Sequence, residues 1–332
     1  MRRKRLTSEE YLSGILAGDR LILSRAITLV ESNLESDQEI ADQVLNGCIQ
    51  TSQSAYKIAI SGVPGVGKST FIEGFGIYLI EQGHQVAVLS IDPSSTISKG
   101  SILGDKTRME QLSTHPQAFV RPSPTLGALG GVSDKTREVS ILCAAAGFDR
   151  ILIETVGVGQ SEVKVKQMVD FFLLLMLPNA GDELQGIKRG IIEIADSIVI
   201  NKSDGELKVL AQQAKASYSR ALHFFAANES KWTPQIMTCS ALNKQGFDEI
   251  YQVLSQFQKI TMENGYWMKN REKQNISWME EAITHYLLWD FQKDPRVKNK
   301  KEQLSQKMID HQISPRYAAR KLMEIWRNPS TD

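Results

Sequence analysis

The residues with the clearest capacity for chemistry form a glycine-rich run that ends in lysine and serine. Ile58-Ala59-Ile60-Ser61 leads into Gly62-Val63-Pro64-Gly65-Val66-Gly67-Lys68-Ser69-Thr70. This satisfies G-x-x-x-x-G-K-[ST] after a β-branched run and before an amphipathic helix predicted around residues 69–82. Gly62, Gly65 and Gly67 permit backbone shapes and close approaches that a Cβ would obstruct. Successive amides and the helix start then direct partial positive charge at phosphates. Lys68 is placed to reach β- and γ-phosphates, and Ser69 to put its hydroxyl on Mg²⁺.

A second constellation bears on the base. Ser197–Ile200 leads to Asn201-Lys202-Ser203-Asp204, an N-K-x-D sequence at a predicted strand end. An aspartate accepts two hydrogen bonds from the N1–H and N2–H₂ of guanine, whereas adenine has no such donor pair and would leave Asp204 unpartnered. The Lys202 stem can cover one face of the base and Asn201 can brace the loop. Ser240-Ala241-Leu242, after another strand-like run, matches the weaker second base loop.

Acidic residues and candidate switch segments complete the set. Glu154-Thr155-Val156-Gly157 stands where a D-x-x-G pattern is common, its glycine amide placed to sense a γ-phosphate. Asp92, at the end of Val86–Ile91, and Asp105, in Gly104-Asp105-Lys106-Thr107-Arg108, are further candidates for Mg²⁺. Three acids plus Ser69 exceed what one Mg²⁺ takes from protein, so some must act at one remove. Ser94–Met109 is polar and glycine-bearing, as a switch loop would be. The 179–190 stretch carries Gly181, Gly186 and Gly190, and Lys188 or Arg189 can bring charge toward a transition state.

These loops need a scaffold. Seven short runs, Lys57–Ser61, Gln85–Ile91, Phe119–Arg121, Arg150–Glu154, Phe171–Leu177, Ser197–Ile200 and Gln235–Cys239, alternate with helical stretches. That order predicts an α/β fold, a mostly parallel sheet flanked by helices with ligands at the strands' carboxyl ends. Three regions follow: 1–55, a helical extension opened by a Thr7-to-Glu10 capping box; 56–258, the α/β domain; and 259–332, a helical tail. In the tail Ser277–Glu280 reads as a capping box and Ser314-Pro315 as a cap followed by N1 proline. Trp278, Ala282, Tyr286 and Trp289 can share one face, either packed on the chain's own core or serving as a dimerisation arm.

Composition excludes several classes. The chain has 332 residues, 42% hydrophobic and 23% charged, with 39 basic against 38 acidic side chains. That is an ordinary globular composition, with no case for a nucleic-acid binder held by bulk charge. Cys48, Cys143 and Cys239 lie far apart, against a disulfide scaffold. The longest apolar run, Phe171–Leu177, is too short to cross a bilayer, and no secretory signal is expected where Arg2-Arg3-Lys4-Arg5 meets Glu9-Glu10. A cytoplasmic protein is expected.

The P-loop, Asp92-Pro93-Ser94-Ser95, the 100–109 segment, Glu154 to Glu162 and Gly181-Asp182-Glu183-Leu184-Gln185-Gly186-Ile187-Lys188 together resemble one family, the methylmalonyl-CoA mutase-associated GTPase chaperones (MeaB), whose relatives were once called ArgK-type transport kinases. The resemblance runs in order through about residues 1–330. It implies a homodimeric GTPase of the SIMIBI class, with a C-terminal dimerisation arm, that binds a cobalamin-dependent acyl-CoA mutase. GTP binding and hydrolysis would gate adenosylcobalamin loading and protect or rescue the mutase. By position it assigns Lys68, Ser69 and Thr70 to phosphates and metal, Asp92, Asp105 and Glu154 to the metal-linked acids, and Asn201, Lys202 and Asp204 to the base. It places Gln185 and Lys188 in the partner-responsive segment. A small-molecule or protein kinase of the transport type is the alternative. A nickel-insertion GTPase is opposed by five scattered histidines (His84, His115, His223, His285 and His311) with no pair at ligand spacing.

Overall fold

The computed structural model describes residues 6–32, 34–51, 54–92, 109–124, 131–155, 161–178, 189–222 and 229–328. Seven parallel strands form one sheet among these residues: β1 (Tyr56–Gly62), β2 (Val86–Asp92), β3 (Ala118–Pro124), β4 (Arg150–Thr155), β5 (Phe171–Met176), β6 (Ser197–Ile200) and β7 (Gln235–Thr238). Their order across the sheet is β3-β2-β4-β1-β5-β6-β7. Each expected run contains or lies within one of these strands to within a few residues. The near-continuous apolar sequence of β5, all six residues buried, is what a central parallel strand needs when helices cover both faces. The chain leaves β1 toward β2 and leaves β5 toward β6. The adjacent β1 and β5 therefore diverge at their carboxyl ends, where a crevice opens.

Thirteen helices are described. Three precede the sheet, α1 (Ser8–Leu16), α2 (Arg20–Val30) and α3 (Glu35–Thr51). The predicted capping box is present: Glu10 N–H donates to Thr7 Oγ1 at 3.2 Å and Thr7 N–H to Glu10 Oε2 at 2.8 Å. Ile15, Leu23, Ile27 and Val30 are buried in the same core as Ala87, Leu89 and Ile153 of the sheet. The amino-terminal helices thus extend the core of one face, packing against helix Gly131–Ala145, which itself lies on β2 and β4, and each buried leucine or isoleucine contributes about 1.5–3 kcal/mol.

The other face carries α4 (Lys68–Glu81), which follows the P-loop, α5 (Glu110–Thr114) and the later helix Phe247–Glu263, whose Phe247, Ile250, Leu254 and Phe257 share their core. Phe71, Ile72, Phe75, Leu79 and Ile80 of α4 are buried, with Phe71 edge-on to Phe247 at 5.7 Å between centroids. Leu112 of α5 is buried in the same cluster. The helix is therefore enclosed on more than one side, a correction to the single amphipathic face that the sequence suggests. In order, α6 (Gly131–Ala145), α7 (Ser161–Lys166), α8 (Arg189–Ile194), α9 (Leu207–Leu222) and α10 (Phe247–Glu263) complete the α/β part.

At the strands' amino ends one device recurs. Asp149, Asp170 and Asp196 each stand immediately before β4, β5 or β6 and accept a backbone N–H, from Gln85 at 2.8 Å, Lys57 at 2.8 Å and Phe172 at 2.7 Å. Each also binds a side-chain cation: Arg150 for Asp149, Arg271 for Asp170 and Lys166 for Asp196. His84 adds to this edge, with Nδ1 2.6 Å from Asp149 Oδ2 and Nε2 3.0 Å from Tyr251 Oη.

The chain divides into two compact units, Met1–Gln274 and Asn275–Asp332. Helix α11 (Tyr266–Lys293) runs through the division. Its first turns belong to the first unit, where Trp267 stacks edge-on against Tyr56 at 5.0 Å and Gln274 donates to the Val169 carbonyl at 2.8 Å. Ser277 lies inside this continuous helix and caps nothing, which corrects the second predicted capping box; the uninterrupted run of helix-forming residues overrides the local signal. In the second unit α12 (Pro295–Ile309) packs with α13 (Pro315–Arg327). Ser314 does cap α13, accepting from Tyr317 N–H at 3.2 Å with proline in the first turn. On the α11 portion of this unit Met279, Ile283, Tyr286 and Leu287 are about half exposed.

Candidate functional site

The phosphate-binding candidate sits at the carboxyl end of β1. A Cβ on Gly62 would lie 2.6 Å from the Leu175 carbonyl of β5, so only glycine lets the loop leave the sheet here. Gly67 has φ +93°, and a Cβ there would meet Asn201 Nδ2 at 3.0 Å. That position requires glycine both for its backbone and for the approach of the second loop. Val66 is fully buried and anchors the loop from below, while Pro64 and Gly65 are exposed. Ser69 and Thr70 occupy the first turn of α4, where backbone amides lack intrahelical partners.

Lys68 folds back over its own loop, Nζ donating to the Gly62 carbonyl at 2.8 Å and the Val63 carbonyl at 3.3 Å. Burial lowers its pKa below the ordinary lysine value, and the carboxylates of Glu154 and Glu162 oppose that shift. The lysine is thus a partly desolvated cation beside two acids. Glu162, a buried residue in the first turn of α7, was not singled out from sequence. Its signal in the sequence is its place at the end of the Glu154-to-Glu162 segment that carries the family resemblance.

The base-reading candidates come from β6 and β7. Asn201, 2% exposed, holds the site together: Nδ2 donates to the Val66 carbonyl at 2.9 Å and Oδ1 accepts from Ala241 N–H at 3.0 Å. It therefore ties phosphate loop, N-K-x-D loop and second base loop into one unit. Asp204 Oδ1 accepts from Ser240 Oγ at 2.7 Å, and Ser203 N–H donates to the Cys239 carbonyl at 3.0 Å. Lys202, at φ +57°, and Leu242 are exposed. Burial, with Asp204 nearby, pushes the Cys239 thiol up to about 12, so it stays protonated beside the loop.

Glu154 ends on the same edge, accepting from Ser90 Oγ of β2 at 3.1 Å. The next residue, Thr155, donates to Ser61 Oγ at 2.8 Å inside the protein. Asp92 is the last residue of β2, opposite Pro124 in the register, so its backbone reaches the same carboxyl edge. Asp105, Gly157, Gln185 and Lys188 lie outside the described residues. The oxygen donors at hand, the Ser69 hydroxyl and the Glu154 carboxylate, are hard ligands of the type Mg²⁺ takes. Among the described residues no three acidic, His or Cys side chains converge on a metal position. Mg²⁺ at nucleotide sites draws one or two protein ligands and completes its shell from phosphates and water, so the donor set fits it.

A parallel sheet that delivers a glycine-rich loop, a serine-headed helix and an asparagine-braced second loop to one edge defines a P-loop nucleotide hydrolase. A sequence profile described as "Methylmalonyl Co-A mutase-associated GTPase MeaB" matches residues 23–296. The chain is 44% identical over 319 residues to a probable GTPase of Mycobacterium tuberculosis, covering 96% of this chain and 95% of that one. It is 43% identical over 330 residues to the mitochondrial methylmalonic aciduria type A homolog of mouse, covering 96% and 80%. A crystal structure titled as an LAO/AO transport system kinase superposes with TM-score 0.76 at 34% identity, covering 99% of this chain and all of that one. The protein belongs to the methylmalonyl-CoA mutase-associated GTPase family and is a GTPase. The transport-kinase alternative is not favoured, since these curated relatives carry GTPase or methylmalonic aciduria names. Among the described residues no helix is long and apolar enough to cross a membrane.

Proposed function

We propose that this GTPase is a chaperone of a cobalamin-dependent methylmalonyl-CoA mutase or a related acyl-CoA mutase. It gates adenosylcobalamin loading and protects or reactivates the mutase, working in the cytoplasm as a homodimer joined through the helical region 259–332. The observation that carries this reading is the family match over residues 23–296, which extends well beyond the nucleotide loops.

In this reading Gly62 to Thr70 cradle the phosphates of GTP. Lys68 exchanges its hydrogen bonds to the Gly62 and Val63 carbonyls for β- and γ-phosphate oxygens, which are stronger, charged acceptors. Ser69 and Glu154, with Asp92 and Asp105, serve Mg²⁺ directly or through water. When bound, the ion neutralises charge on the phosphate oxygens. Asp204 accepts from guanine, Lys202 covers the base, and Ser240, Ala241 and Leu242 border it. The Gly157 amide senses the γ-phosphate. Gln185 and Lys188 complete the geometry for in-line attack of water only when the mutase engages their segment, which makes turnover slow alone and faster with the partner.

The test is steady-state phosphate release from GTP and ATP, with and without methylmalonyl-CoA mutase. The expected result is slow GTP-only turnover that rises several-fold with mutase, the rise blunted by Lys188→Ala. Unchanged turnover together with failure of the two proteins to co-elute would remove the partner assignment.

A further inference from the structure

We infer that Ser90 is a positioning residue that orients the Glu154 carboxylate for magnesium, an inference that rests on the reading of Glu154 as a metal-linked acid. Strand β2 enters the core as Val86, Ala87, Val88 and Leu89, all fully buried and apolar. Ser90 follows, 4% exposed. Packing alone asks for nothing more than a small apolar side chain at this point, and a buried hydroxyl is costly unless it makes a hydrogen bond. Ser90 makes it to the end of the neighbouring strand: Oγ donates to Glu154 Oε2 at 3.1 Å.

The sheet dictates that meeting. In the β2–β4 register Ser90 stands opposite Glu154, one step beyond Leu89 opposite Ile153. Side chains alternate along a strand, so Ser90 and Glu154 share the face of Val88 and Leu152, which belong to the core that holds Val66 and Phe71 of the phosphate loop and its helix. A glutamate has three side-chain torsions to restrain where an aspartate has two. A charge-assisted hydrogen bond from a rigid strand restrains the longer arm. On the opposite face Thr155 is held by Ser61 of β1. The last two residues of β4 are thus held by hydroxyls from both neighbouring strands, directly before the segment that contains Gly157. Outer partners of this kind shift metal affinity or activity by about 10–100-fold when removed.

The experiment uses the full chain as wild type, Ser90→Ala, Ser90→Thr, Glu154→Gln and the Ser90→Ala/Glu154→Gln double variant. GTP turnover at saturating GTP is titrated with Mg²⁺, and binding of a fluorescent GDP in EDTA and thermal unfolding are measured in parallel. Ser90→Ala is expected to raise the half-saturating Mg²⁺ roughly 10-fold while GDP affinity in EDTA and the melting temperature hold. Ser90→Thr, which keeps the hydroxyl, restores the wild-type titration, and Ser90→Ala adds nothing further in the Glu154→Gln background. If Glu154→Gln shifts the Mg²⁺ titration and Ser90→Ala does not, the Ser90 inference is overturned while the role of Glu154 stands. If Glu154→Gln leaves the titration unchanged, the metal reading of Glu154 fails and takes the inference with it. A loss of GDP affinity or melting temperature that accompanies the Ser90→Ala shift and persists in Ser90→Thr assigns the serine to packing and also overturns the proposal.

Discussion

The two ends of the sheet use the same residue types for opposite purposes. At the amino ends Asp149, Asp170 and Asp196 each accept a backbone N–H from a neighbouring segment and bind a cation of the same chain. Carboxylates there are partnered by groups that folding itself brings, so they close the structure. At the carboxyl ends Lys68 donates its hydrogen bonds to two carbonyls, with the Glu154 and Glu162 carboxylates only nearby, and Asp204 is met by a single serine hydroxyl. Their remaining capacity points to partners the chain does not supply. Whether a buried charge is structural or functional is therefore decided by how completely its own chain satisfies it.

Substitutions at the two ends should separate activity from stability, and the largest effect belongs to the carboxyl edge. Lys68→Ala is expected to slow GTP hydrolysis about 10³-fold, ~4 kcal/mol of transition-state stabilisation, with no fall in melting temperature. Phosphate release and calorimetry check both halves, and parallel losses would erase the distinction between the ends.

Next comes Asp170→Ala, which strands Arg271 and the Lys57 amide. The expected cost is roughly 3 kcal/mol of folding stability, read by urea unfolding, with guanine selectivity unchanged. A wild-type unfolding midpoint would mean that this edge is not held as described.

Asp204→Ala sharpens the comparison on the binding side. It should reduce the preference for GTP over ATP about 100-fold, measured by competition binding, while the urea midpoint stays near wild type.

The smallest expected effect is a pH dependence at the structural edge. Although burial pushes the other way, hydrogen bonds from His84 and the Gln85 amide, with Arg150 nearby, hold Asp149 below its ordinary value of 3.8. A depressed folded pKa contributes stability above the unfolded value and loses it as pH falls through the folded one. Asp149→Asn should therefore flatten the stability profile below about pH 4–5, by less than ~1 kcal/mol because the carboxylate is part exposed. Acid unfolding curves that superpose would remove this contribution.

Much of this was legible beforehand because it is local. The Thr7 and Ser314 caps, the seven strands and the P-loop each depend on residues a few positions apart. The false capping box at Ser277 is local too, and it failed because helix α11 continues through it. Ser90 and Ser61 escaped notice for a different reason: a serine in an apolar run signals nothing until the strand beside it is known.

By itself the sequence determined the strand and helix alternation, the phosphate loop and the candidate guanine-reading loop, since backbone preference and hydrophobic period act over single elements. Only the tertiary structure decided that Asn201 would grip Val66, that Glu154 would lie against Ser90, and that Asp170 would be matched by Arg271. Those pairs are separated by 135, 64 and 101 positions. Their meeting depends on strand order and register, which no short window of residues encodes.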